Sequence, residues 1–292
     1  MRILAAFSAL VGGAAGIGWL VTGALGAVIA GASVLLASVS LYRYAARCVL
    51  HLAGAYPISR DVGPGLYRLV ERLAARAGTP GAAPRLYWLP GNAPNALATG
   101  RDLAHAAIAL TPDLLALLDR DELAGLLARE LACLARGDTR PGDIAAALAG
   151  GLMLIARWPH QFQRAAEAGE QTSNQWARRP AAWVGAAWRM SLALVAAGVV
   201  RAASSAERVH AADAAGAQML SDPLPLARAL AKLSAANSTR PAREVNPGLA
   251  QQFVVAPYIE ESLRPLFSTP PSSSARLQRL TRQALQPVAY AG

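Results

Sequence analysis

The chain has 292 residues, 54% of them hydrophobic, with a positive mean hydropathy and a net charge of +10. That is room for one or two domains with a sizeable core, and the hydrophobic share is high for a water-soluble protein, so a membrane component is expected. The basic excess contains no lysine- or arginine-rich run and no aromatic-basic interleaving, which argues against nucleic acid as a partner and for an anionic membrane surface, and two cysteines, Cys48 and Cys133, argue against a disulfide framework or a cysteine-based zinc knuckle.

No charged residue occurs from Ile3 to Leu41, a run far longer than the apolar core of a signal peptide. Two spans of about 18 residues fit it, roughly Ile3 to Leu20 and Gly23 to Leu41, with glycines for the connection and for close helix contact. Arg2 flanks one end, and Arg43 and Arg47 the other, so a hairpin over residues 1–54 places both its ends in the cytoplasm. A single long tilted span is the alternative. After Pro57 the texture is that of a water-soluble domain. Gly65 to Gly78 is an amphipathic helix stopped by Gly78 and Pro80, Arg85 to Leu89 a strand, and Ala106 to Leu110 a second strand. A helix starts at Thr111, with Pro112 in its first turn. Between the strands, Asn92 to Gly100 has the Asn, Pro and Gly content of a loop.

The next stretch, Asp119 to Asp138, carries Leu123, Leu126, Leu127, Leu131 and Leu134 at helical spacing, with Asp121 placed to cap it and Gly137 to end it. Arg129 and Cys133, one turn apart, flank that stripe on one side, with Glu130 beside the first. Position by position the run resembles the active-site helix of HtpX-like membrane zinc metallopeptidases. In that family it carries His-Glu-x-x-His: two histidines four apart face one zinc ion, and the Glu acts as general base toward the metal-bound water. Here the motif reads Arg-Glu-Leu-Ala-Cys. Arg129 stands at the first His position and cannot ligate, because a guanidinium is always cationic and has no acceptor lone pair. Cys133 stands at the second and could ligate as a thiolate; Glu130, the base, remains.

The resemblance extends along the chain. Asn95-Ala96-Leu97-Ala98-Thr99-Gly100 is similar to the family's Asn-Ala-Phe-Ala-x-Gly segment, which borders the substrate cleft, with Leu97 in place of the aromatic. Two hydrophobic segments follow the active-site helix, as in the family, at about 143–202. Ile144 to Ile155 is short for a span, and Ala181 to Val200 has Arg189 at its middle. Spanning by both would put Arg157, Arg164, Arg178 and Arg179 outside, so a pair that dips into or lies along the membrane, or packs in the protein core, is expected. Ser205 to Ala217 matches the segment where the family has its third zinc ligand, a Glu three residues before Ala-Asp. Aligned on Ala212-Asp213, that position is Val209, which has no donor atom, while Glu207 is out of register. Asp213 matches the supporting Asp. Asp222 to Leu233 resembles the family's next helix, Leu266 to Pro271 its Leu-Phe-Ser-Thr-His-Pro-Pro turn without the His, and Ser274 to Leu285 is a final amphipathic helix.

The resemblance implies a mostly α fold with a small β-sheet (α+β), zincin-like, over residues 55–292. It implies zinc as the family's metal, but the ligand positions read Arg129, Cys133 and Val209, short of the three protein ligands a catalytic site needs, so no metal or cofactor is expected. The expected protein is a catalytically inactive, multi-pass protein of a bacterial-type inner membrane with its main domain in the cytoplasm. It would be a scaffold, assembly factor or accessory subunit whose partners are the bilayer and other membrane subunits. The alternative is an active zinc metalloendopeptidase in membrane protein quality control, with a displaced site recruiting His210 or Glu207. A metal-free hydrolase built on Glu130 and Cys133 lacks a pocket histidine to activate the thiol; His51, His105, His160 and His210 are read as surface or core residues. Two further expectations concern contacts. Asn95, Ala96, Leu97, Ala98, Thr99 and Gly100 are candidates for peptide or partner binding at a strand edge. Arg129 is expected to pair with Asp213, with Glu130 as alternative or additional partner, because two buried carboxylates without a cation are costly.

Overall fold

The computed structural model describes residues 2–78, 81, 83–169, 175–239, 245–257, 264–267 and 271–285. Helices α1 (Arg2–Thr22) and α2 (Ala24–Leu52) form an antiparallel pair. Gly23 makes the reversal with a φ of 71°, where a side chain would be strained, and a Cβ on Gly18 would stand 2.2 Å from the Gly26 carbonyl oxygen. Glycine is therefore what lets the two backbones touch. α2 is long and apolar enough to cross a bilayer, and Leu25, Val28, Ile29, Leu35, Leu36 and Val39 lie exposed along it. Its last turns leave that apolar stretch and enter the domain: Val49 is buried among Leu89, Leu97, Ala109, Ala146 and Leu249.

The sheet has four short strands, β1 (Tyr56–Pro57), β2 (Arg85–Trp88), β3 (Ala96–Thr99) and β4 (Ala107–Leu110), in the order β1-β2-β4-β3. β2 and β4 run parallel with Arg85 opposite Ala107; β3 runs antiparallel to β4 with Ala96 opposite Leu110. Alternation sends Leu86, Ala96, Ala98, Ile108 and Leu110 into the main core against α3 (Pro64–Arg76), α5 (Arg120–Ala135) and α9 (Leu224–Thr239). Leu97 and Ala109 point to the other face, toward α2 and α6 (Thr139–Gly169). The segment read as a loop thus contains an edge strand. Asn95 anchors it, donating its backbone N–H to Thr111 Oγ1 at 2.9 Å and its amide to the Val255 carbonyl at 2.7 Å. Thr111 precedes α4 (Pro112–Leu117), but its hydroxyl serves Asn95 and makes no side-chain cap.

The cap of α5 also differs from expectation. Asp119, not Asp121, accepts the N–H groups of Asp121 and Glu122 at 3.0 and 2.9 Å, and Glu122 answers by accepting the Asp119 N–H at 3.0 Å. This reciprocal capping box satisfies the Asp119 N–H as well as two N–H groups of the first turn, which a cap at Asp121 would not. α6 and α7 (Gln175–Ala203) are longer than their apolar stretches suggested. Met153, Ala193, Ala197 and Val200 pack with Ala250 and Phe267 of α10 (Arg264–Phe267), while Leu154, Ile155, Leu194 and Val195 are exposed. α8 (Ala206–Leu220), capped by Ser205, and α11 (Ser273–Leu285) complete the core. Pro80, His160, Arg164, Arg178 and Arg179, and the Ser268 to Pro270 part of the expected turn, lie outside what the structure describes in side-chain detail.

α5 and α8 meet closely because Gly216 faces α5: a Cβ there would stand 2.6 Å from Arg129 Cα. Gly216→Ala should therefore lower stability by about 1–3 kcal/mol, the cost of forcing backbone apart in a packed core. Thermal unfolding of the detergent-solubilised protein checks it, and a change within about 0.5 kcal/mol, the range of ordinary surface substitutions, would show that the helices do not touch there.

Candidate functional site

α5 presents Arg129 and Glu130 to the interior, 8% and 1% exposed, and α8 brings Asp213, 3% exposed, from the opposite side. Arg129 donates from Nε to Asp213 Oδ1 at 3.3 Å and from Nη1 to Glu130 Oε1 at 2.5 Å. The pairing expected for Arg129 is present with both carboxylates. The structure adds a partner that the sequence reading missed. Arg276 of α11, 4% exposed, grips Asp213 with Nε to Oδ2 and Nη2 to Oδ1, each 2.8 Å, and donates from Nη1 to the Val254 carbonyl at 2.6 Å. Its sequence signal was faint: Arg276 is one turn before the buried Leu280, on the core side of an amphipathic helix.

Two cations and two anions make the cluster neutral overall. A bidentate fork on Asp213 supplies the geometry that repays burying an ion pair. Burial raises the proton affinity of Asp213, but the hydrogen bonds and charge of Arg276, helped by Arg129, outweigh it and hold the carboxyl below its usual 3.8. For Arg129 burial opposes the charge, yet the carboxylates of Glu130 and Asp213 bind its proton more firmly than normal. Cys133 takes no part in the clamp. Burial pushes its thiol up to about 12 against the pull of Arg129, which disfavours the thiolate that would act as a nucleophile.

Beside the cluster is a small cavity of about 100 Å³ lined by Ala98, Arg129, Glu130, Cys133 and Val209 among others. The five degenerate-site positions are thus in one region: four line the cavity, and Asp213 lies behind Arg129. The donor set does not suit zinc, because a guanidinium offers only N–H groups and valine offers nothing, which leaves Cys133 alone of the three ligand positions with a donor atom. Among the described residues no group of three or more His, Cys, Asp and Glu is placed to hold a metal ion. The proposed recruits fare no better. Glu207 is exposed, His210 does not line the cavity, and its buried Nδ1 has no hydrogen-bond partner.

The strand edge expected to be open to a peptide or partner is taken in part by the chain itself. Asn95, Ala96, Leu97, Ala98, Thr99 and Gly100 are all buried, and the chain's own segment after Gln252 takes the edge. Val254 donates to the Ala96 carbonyl at 2.9 Å, and Phe253 bridges to Leu97. At the far end Asp143 of α6 accepts from Thr99 Oγ1 at 2.7 Å, the Gly100 N–H at 2.8 Å and Gln252 Nε2 at 2.7 Å. An added peptide strand would have to displace these bonds. Asp143 itself is pushed up to about 7 by burial, against its three donors.

Two outcomes follow for the cluster. Arg129→Ala should cost about 3–5 kcal/mol, since it leaves the buried Glu130 without its cation and Asp213 with Arg276 alone, as measured by chemical denaturation. Asp213 contributes stability that is complete above its unfolded value near 3.8 and is lost as pH falls through its lower folded value. Wild type should therefore lose stability on acidification below about pH 4, where Asp213→Asn, less stable at neutral pH, loses less.

Comparison with known proteins fits this geometry. The model of peptidase family M48 matches residues 63–284. The chain is 39% identical to a protein named Protease HtpX homolog from Thermococcus kodakarensis over 83% of this chain and 81% of that one. It is 37% identical to homologues of the same name from Syntrophobacter fumaroxidans (95% and 96%) and Pelotomaculum thermopropionicum (98% and 97%). With a zincin-like arrangement of helices around a small mixed sheet and matches of this extent, the chain belongs to peptidase family M48 as an HtpX-like member.

Proposed function

We propose that this chain is a catalytically inactive, metal-free HtpX-like protein, held in an inner membrane by the α1–α2 pair with its main domain on the cytoplasmic side. It serves as a scaffold, assembly factor or accessory subunit for other membrane proteins. The observation that carries the reading is Arg129: a fixed cation at a ligand position, bonded to the carboxylate that would be the general base. That bond holds Glu130 Oε1 against a fixed cation at the place where a metal-bound water would be activated. A divalent cation placed there would also meet a guanidinium within a few ångströms, a repulsion of several kcal/mol at an effective dielectric of about 20.

With the β3 edge taken, α1 is the better surface for partner helices. Gly12, Gly13 and Gly16 are exposed, and a Cβ on any of them would meet nothing within 4 Å. Small residues spaced four apart allow a second helix to approach closely. One observation favours the other reading, an active zinc endopeptidase with a displaced site: the similar proteins carry the name protease.

The test is metal content and proteolysis of the detergent-purified full chain. The expected result is zinc well below one per chain and no chelator-sensitive cleavage of an unfolded protein substrate. Stoichiometric zinc, with cleavage abolished by Glu130→Gln, would establish the displaced-site reading instead.

A further inference from the structure

A second and larger cavity, about 340 Å³, lies at the foot of α2 and has no role in the site above. Five arginines from four parts of the chain converge on it: Arg43 and Arg47 from α2, Arg85 at the start of β2, Arg101, and Arg140 at the start of α6, with His105 on its rim. Few internal anions answer them. Arg101 meets Asp102 at 3.3 Å, and Asp102 is shared with His105 Nδ1 at 2.8 Å. Arg140 donates to the Arg101 carbonyl at 2.8 Å. Asp143, the one carboxylate in the lining, is committed to its three internal donors and drawn toward neutrality by burial. The side chains of Arg43 and Arg85 make no hydrogen bond or ion pair with any described residue, and Arg47 has only the ring of Tyr44 beneath its guanidinium, 5.6 Å from the centroid. A concave site with this many forked donors and so few acceptors suits a phosphate group.

Position identifies the source of that phosphate. From Ala24 to Leu41, α2 has about 18 residues of apolar helix, ~27 Å at 1.5 Å per residue, which matches the hydrocarbon core of a bilayer. Tyr42 and Tyr44 follow at once and are exposed, where interfacial aromatics sit, and Arg43 and Arg47 occupy the same turns. The cavity mouth therefore stands at headgroup depth beside an exposed apolar helix face that acyl chains would cover.

We propose that this cavity binds the phosphate of an anionic membrane lipid, with Arg43, Arg47 and Arg85 as the principal donors and Arg101 and Arg140 as the far wall. The proposal rests on the reading that α1 and α2 are embedded in a membrane. The lipid would fasten the end of α2 to β2 and to the start of α6, three elements that otherwise meet there through a cationic gap.

The test is native mass spectrometry of the detergent-purified full chain titrated with phosphatidylglycerol or phosphatidylcholine. One phosphatidylglycerol should be retained in preference to phosphatidylcholine. Arg85→Gln, whose charge lies on a strand and not on the membrane helix, should weaken retention about fivefold, and Arg43→Gln with Arg47→Gln more than tenfold, at roughly 1 kcal/mol per charge. Arg72→Gln, an exposed arginine of α3 away from the cavity, should change nothing. Equal retention of both lipids, or retention insensitive to Arg85→Gln, would overturn the proposal. So would displacement of the lipid by millimolar glycerol 3-phosphate, which would assign the site to a soluble phosphate. Alkaline carbonate extraction of native membranes separates the premises: release of the wild type would refute the membrane reading, whereas a retained protein without lipid preference would refute the site alone.

Discussion

The pairing of Arg129 and Arg276 with Asp213 and Glu130 is the constraint around which the domain closes. It ties α5, α8 and α11 together at one point, and through the Val254 carbonyl it also holds the segment that covers β3. Buried ion pairs contribute little net stability when compared with an apolar core of the same shape, but removing one member is expensive. A cluster of this kind therefore enforces one arrangement of its helices. In a metallopeptidase the metal and its ligands would do this. Here guanidinium groups do it.

The half of the molecule at the foot of α2 is organised by a different interaction, direct burial of the end of that helix. Val49 and Leu97 share one small core with Leu249, so the apolar helix, the edge strand and the turn at Pro247–Gln252 are packed as one unit. The same turn lies against α6 so tightly that a Cβ on Gly248 would stand 2.4 Å from the Gly150 nitrogen.

Much of this was legible in the residues, and the reason is local. The leucine spacing of α5, the charge of Arg129 and the missing donor at Val209 are properties of single positions or single turns, and they survive into the structure. What escaped depends on contacts between distant residues. Arg276 is 63 positions from Asp213, and Val255 is 160 from Asn95. The loop-like composition of Asn92 to Gly100 was accurate as chemistry but silent about the strand, because Ala96 to Thr99 gain their extended form from pairing with β4 and not from propensity. The cap at Asp119 was misplaced by two residues because either aspartate satisfies a simple capping rule, and only the reciprocal bond from Glu122 decides between them.

The central claim is that Arg129 and Asp213 are an energetic pair holding the region of a metal centre, and a double-mutant cycle measures that directly. Arg129→Met and Asp213→Asn would be compared singly and together by denaturant unfolding of the full chain. The account predicts a coupling above about 1 kcal/mol, with the double variant more stable than the sum of the two losses implies, because each single change already removes the bond between them while Arg276 still holds Asp213 and Glu130 still holds Arg129. Losses that add to within about 0.5 kcal/mol would show two independent side chains and contradict it.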